Sequence, residues 1–223
     1  MPINHKHKLL FLHIPKTAGN SIKQFFSFSN KEISEDNYHG TLDYLVKKYY
    51  QYQDYYLFTI VRNPWDRFAS AFFYAKMDKS MYHDKDNETK HPDYDIVKDL
   101  SFNECVELFY HKKIELVEKH FHPMVKWIDN DIKIKKIIRF ENLHKELKEL
   151  CKESNLCLNI DSFPIINKSD KKQKYQDIYN KETKQMIAEI YEQDIKNSFI
   201  LFNFFTKAQE IQYFLGFLFL LFL

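Results

Sequence analysis

Twice in this chain a short β-rich apolar run stops at a proline-bearing loop and passes straight into a helical pattern, and this repeated strand-loop-helix order constrains the fold most. Leu9 to Ile14 ends at Pro15, after which Ile22, Phe25 and Phe26 recur at helical spacing between Ser21 and Phe28. Tyr55 to Val61 is the second run. Asn63 is a ready N-cap behind it, Pro64 suits a first helical turn, and apolar positions follow at helical spacing from Trp65 to Met77. Ile132 to Phe140 reads as a third strand leading into a helix over Leu143 to Ser154. Strands alternating with helices predict an α/β fold with a central, mostly parallel sheet flanked by helices. Elsewhere the pattern predicts an exposed loop over Asp78 to Asp99 and mostly helix from Ser101 to Trp127, broken near Pro123. It also predicts a basic loop over Lys168 to Lys174 and one amphipathic helix from Glu182 to Lys196.

Composition bounds the function. With 223 residues, 44% hydrophobic and 29% charged, the chain is a globular domain with decorations and not a disordered or fibrous one. A formal net charge of +2 is too weak to argue for a nucleic-acid binder on bulk electrostatics, so no nucleic-acid partner is expected and any anion site is local. The 33 basic residues include only three arginines, Arg62, Arg67 and Arg139, and there are only three glycines, Gly19, Gly40 and Gly216. In a chain so rich in Lys, those few are expected where a planar fork or a missing Cβ is needed. Cys105, Cys151 and Cys157 form neither a zinc spacing nor an even disulfide set, which points to a reducing compartment, with Cys151 and Cys157 as buried or half-buried thiols. No secretory signal opens the sequence, so a cytoplasmic location is expected. Tyr213 to Leu223 is uncharged and almost wholly apolar. As a helix its eleven residues would reach about 16 Å, roughly half a hydrocarbon core, so the tail either packs on the domain or meets a membrane surface peripherally.

Both loops have the chemistry of anion sites. Pro15-Lys16-Thr17-Ala18-Gly19-Asn20-Ser21 offers backbone N–H groups, the Lys16 charge and the hydroxyls of Thr17 and Ser21. Its lysine precedes the glycine, so it does not follow the Walker pattern, and a plain turn is the bland alternative. In Arg62-Asn63-Pro64-Trp65-Asp66-Arg67-Phe68-Ala69-Ser70, Arg62 stands at the carboxyl end of a strand, where open α/β sheets bind ligands. Its guanidinium can fork onto a phosphate to which Ser70 also donates. Asp66 reads as a helix-start ion-pair partner. His39 lies in a polar Asn37-Tyr38-His39-Gly40 turn between the loops, where a neutral imidazole can act as a base or simply sit in a loop. His13, ending a strand, reads as packed, and His120 as structural or acceptor-side.

FLHIPKTAGNSI and FTIVRNPWDRFASAFFY together resemble the two nucleotide-binding motifs of the sulfotransferases that use 3′-phosphoadenosine 5′-phosphosulfate (PAPS), particularly the carbohydrate group with its heparan, chondroitin and bacterial members. Family-like stretches continue through His39-Gly40-Thr41, His120 to Met124, Arg139-Phe140-Glu141-Asn142-Leu143, Asn167-Lys168-Ser169 and a last helix with Tyr191 and Asp194, so the likeness runs from about Leu9 to Phe205. It implies a P-loop-like three-layer fold, with a sulfotransferase domain over residues 1–206 and an apolar tail over 207–223. It further implies that Lys16, Thr17, Ala18, Gly19, Asn20 and Ser21 hold the 5′-phosphosulfate of PAPS, Lys16 also stabilising the bridging oxygen. Arg62 and Ser70 would hold the 3′-phosphate, Lys168 and Ser169 would close over the nucleotide, and His39 would be the base. Arg139 and Glu141 are structural in this reading. Asn20 replaces a small hydroxyl residue, and Met124 stands where relatives often carry Gln.

The implied reaction is in-line transfer of a sulfuryl group to a hydroxyl of a saccharide or glycan, carried by positioning and charge stabilisation and requiring no metal. Two other readings stay open from the residues alone: a nucleotide-binding scaffold with a decayed site, and a small nucleotide kinase, which lacks the Walker lysine and an acidic pair for Mg²⁺.

Overall fold

The computed structural model describes residues 2–28, 54–77, 90–117, 119–128, 134–166 and 173–196. His39, Lys168, Ser169 and the tail over 207–223 lie outside the described residues.

Four strands form one sheet in the order β1 (Ile3–Asn4), β2 (Leu9–Leu12), β3 (Tyr56–Val61), β4 (Lys136–Arg139). The three sequence-predicted strands are there and pair in parallel, with Leu12 beside Thr59 and Val61 beside Arg139. β1 pairs antiparallel with β2, Ile3 opposite Leu10, so the sheet is mixed. Two residues in a polar stretch carry no period-2 signal, which is why the sequence hides this strand. The chain passes from β2 through α1 (Gly19–Phe25) to β3, and from β3 into α2 (Pro64–Ala75), whose N-cap Asn63 accepts from the Trp65 and Asp66 amides.

Alternation along the strands sends side chains to both faces of the sheet. Leu9, Phe11, Phe58, Ile60 and Ile138 pack with Ile22 of α1, with Phe26 at its C-cap, and with Leu147 and Leu150 of the helix over Leu143–Glu153. Leu10, Leu12, Leu57 and Val61 pack instead with Met124 and Trp127. A third cluster joins Phe68 and Phe72 of α2 to Phe102, Val106, Phe121, Ile187 and Tyr191.

Beyond α2 the expectations need three corrections. The region read as an exposed loop ends, over its described part, in α3 (Tyr94–Val97), and His91, Asp93 and Val97 are buried there. Helix does not run from Ser101 to Trp127. α4 (Phe102–Tyr110), fixed by a Ser101–Glu104 capping box, stops where Lys112 takes φ 55, and only short 3₁₀ turns follow at Lys119–Phe121 and Met124–Lys126. α5 (Leu143–Glu153) matches its pattern, but the last predicted helix is two, α6 (Lys181–Ile190) and α7 (Glu192–Lys196), parted at Tyr191. Among the described residues no helix is long and apolar enough to cross a membrane.

Candidate functional site at the carboxyl edge of the sheet

Parallel register brings the carboxyl ends of β2, β3 and β4 side by side, and the loops leaving them touch. Arg62 Nη1 donates to the Lys16 carbonyl at 2.9 Å, its guanidinium lies 4.1 Å from the Phe140 ring centroid, and the Asn63 amide donates to Glu141 Oε1 at 2.7 Å. The two loops singled out in the sequence thus meet at one edge, braced by a third. Glu141 is structural here, as expected, and burial pushes its carboxyl up. Arg139 is also structural, its Nε donating to Glu146 at 2.8 Å.

The first loop is strained. Lys16 and Ala18 take φ 66 and 68, left-handed conformations that non-glycine residues adopt at a cost, and such alternation turns successive N–H groups to one side. Thr17 is buried, and its hydroxyl donates to the Ile14 carbonyl at 2.7 Å, so in this arrangement it stiffens the loop. Gly19, whose φ is unexceptional, is needed for space: a Cβ there would lie 1.7 Å from His13 Nε2. His13 is buried and stacked on Phe11, as its packed reading anticipates. Asn20 and Ser21 follow in α1, and the Ser21 hydroxyl accepts from the Ile166 amide at 3.0 Å, tying the loop to the segment entering residues 167–172.

Opposite the loop stands one face of α2. Arg67, Ser70 and Tyr74 are spaced i, i+3, i+7 and so share that face. Arg67, fully buried, donates from Nε to the Pro15 carbonyl at 2.9 Å and from Nη1 to the His122 carbonyl at 2.7 Å. The Lys16 ammonium lies 3.4 Å from the Tyr74 ring centroid. Since the residues three before and four after it both touch the loop, buried Ser70 lies on the face turned to the loop. Asp66 pairs with Arg62 at 2.8 Å, as its helix-start reading expects, though it is buried.

Three cations therefore converge beneath the loop. Lys16 as a residue keeps some exposure, but its ammonium is desolvated, and that burial together with the charges of Arg62 and Arg67 holds it well below the usual lysine range. Burial likewise draws Arg67 down. Such a cluster favours a polyanion, which would restore the lost stabilisation of each charge.

Sequence reasoning missed Arg67 as the clamp and Tyr74 beneath Lys16, and it named Asp194 without its role: the two carboxylate oxygens of this buried residue accept from the Met124 and Val125 amides at 2.8 and 2.9 Å. The i, i+3, i+7 spacing from Arg67 was the available signal for Tyr74. Met124 itself is fully buried in the core. Cys151 is buried but Cys157 is exposed. Among the described residues no group of three His, Cys, Asp or Glu side chains converges as a metal site.

A strained loop over three cations at the edge of a mostly parallel sheet has the chemistry of an anion-binding site. Residues 1–204 match the model of the sulfotransferase family, and the chain belongs to that family. No curated protein and no solved structure gives a significant match. Membership makes the protein a transferase of sulfuryl groups.

Proposed function

We propose that the protein is a PAPS-dependent O-sulfotransferase acting on a hydroxyl of a saccharide or glycan. The observation that carries this reading is the convergence of Lys16, Arg62 and Arg67 at the strand ends, with Ser70 on the facing helix. The residues fit a nucleotide bearing charge at both its 5′ and 3′ ends. Lys16, the amides of Thr17 to Ser21 and the Ser21 hydroxyl serve the 5′-phosphosulfate, while Arg62 and Ser70 serve the 3′-phosphate. Lys168 and Ser169 close over the nucleotide, in a P-loop-like arrangement of the domain.

In the transfer, the acceptor hydroxyl oxygen forms a bond to sulfur as the bond between sulfur and the bridging 5′-phosphate oxygen breaks. The hydroxyl proton passes to a base, for which His39 is the candidate. The electron pair of the broken bond stays on the bridging oxygen, where the Lys16 ammonium neutralises it. Lys16 is suited to this because its charge is poorly compensated beforehand, so the developing anion gains most from it.

Calorimetric titration with adenosine 3′,5′-bisphosphate, alongside AMP and ATP with Mg²⁺, tests the reading. Tight binding that requires the 3′-phosphate is the expected result. Better binding of ATP with Mg²⁺ would favour a kinase, and a folded protein binding none of the three would make it a scaffold with a decayed site.

A further inference from the structure

Behind the Lys16 site lies a buried pair of imidazoles with no part in the chemistry above. His91 Nε2 and His120 Nδ1 are 3.0 Å apart, and His91 Nδ1 accepts from the Asp93 amide at 3.1 Å. The Asp93 carboxylate is itself held, accepting from the Val117 amide at 2.8 Å. For two neutral rings, Nδ1 of His91 as acceptor places its proton on Nε2, which donates to His120 Nδ1, with the His120 proton on Nε2. Both rings meet Tyr74 near-perpendicularly, His91 at 5.9 Å and 88°, His120 at 5.6 Å and 71°. Near-perpendicular ring contacts on a buried phenol fix its plane. On that ring rests the Lys16 ammonium.

We propose that Tyr74 is the positioning residue for Lys16, its ring plane locked by the His91–His120 pair so that the ammonium is held in one place beneath the strained loop. The cation–π seat supplies part of the stabilisation that burial removes from the ammonium, and does so without a carboxylate that would compete with an incoming anion. Segments distant in sequence thereby set one catalytic charge: His91 and Asp93 before α3, His120 in the 3₁₀ turn, and Tyr74 at the end of α2. The placement of Lys16 stands on this geometry alone; its consequence for the donor rests on the reading given under Proposed function.

Two measurements test it. In carbon-13 spectra of lysine-labelled protein, with Lys16 assigned through Lys16→Arg, the Lys16 side-chain signals are expected upfield from the ring current of Tyr74. They should stay there in Tyr74→Phe, which keeps the ring, and move to ordinary positions in Tyr74→Leu. His120→Asn, which retains an acceptor for His91 but removes the imidazole, should move them part of the way. An unshifted Lys16 in the wild-type protein overturns the proposal with no variant needing to fold. In the second, titration with adenosine 3′,5′-bisphosphate should show Tyr74→Leu about tenfold weaker than wild type and Tyr74→Phe unchanged. In a Lys16→Met background Tyr74→Leu should cost nothing further. Additive losses, or equal losses for Phe and Leu, would show that Tyr74 acts by some route other than Lys16 and overturn the proposal. A wild-type protein with the upfield Lys16 signals but no affinity for the bisphosphate would instead overturn the donor reading and leave the positioning intact.

Discussion

The His13 imidazole fills the space that a side chain on Gly19 would need, since a β-carbon there would fall 1.7 Å from the ring's Nε2. One of the three glycines in the chain thus serves close packing where the first loop enters α1. Gly19→Ala should force the ring or the loop to move and destabilise the protein by about 1–3 kcal/mol, the usual cost of overpacking. Urea unfolding checks this. A Gly19→Ala, His13→Ala double variant should be less destabilised than the sum of the single changes, and strict additivity would refute the steric account.

Lys16 should make anion binding pH-dependent. Burial and two guanidinium charges hold its ammonium well below the ordinary 10.5 in the free protein, and a bound polyanion favours the charged form. Between the free and bound values, binding of adenosine 3′,5′-bisphosphate therefore takes up a proton, and affinity falls as pH rises through that window. Calorimetry in buffers of different ionisation enthalpy reads the uptake, and Lys16→Met should abolish it. For the free protein the unfolded chain binds the extra proton between the lowered value and 10.5, so Lys16 adds stability as pH rises there. Lys16→Met should flatten that slope.

Arg62 and His39 separate binding from turnover. Arg62→Ala removes a guanidinium that pairs with Asp66, ties the Lys16 carbonyl and is proposed to meet the 3′-phosphate, and bisphosphate affinity should fall by at least tenfold. His39→Ala should leave affinity unchanged and remove turnover of PAPS on a competent acceptor. Normal turnover in that variant would sink the base assignment.

Asp194 tests the packing behind the site. Its two oxygens each accept a backbone amide, so Asp194→Asn turns one acceptor into a donor facing a donor. A loss of about 1–3 kcal/mol in chemical denaturation is expected. A neutral outcome would mean that water replaces the lost acceptor.

The legible part of this fold was whatever rests on local signals. β2, β3 and β4, the Asn63 cap with Pro64, and α5 all follow from periodicity and capping chemistry that act over a few residues. The two candidate anion loops were visible because each follows a strand and opens a helix, and in a lysine-rich chain the arginines at 62 and 67 stood out. Arg67 escaped because its partners, the carbonyls of Pro15 and His122, lie more than fifty positions away and leave no trace in residue type. Tyr74 reads as one more aromatic in a helix, and only the approach of Lys16 gives it meaning. The early end of α4 was missed because Lys112 adopts a left-handed conformation that glycine usually signals.

Arg67 also sets the unit in which this region opens. One guanidinium, wholly buried, holds the carbonyl before the strained loop and the carbonyl of His122 at once, and Asp194 fastens the next two amides, of Met124 and Val125. Local unfolding of the loop gives up the bond to Pro15 and loosens the side chain that also holds the 119–126 segment. Amide hydrogens in the two stretches, remote in sequence, are therefore expected to lose protection together in hydrogen exchange.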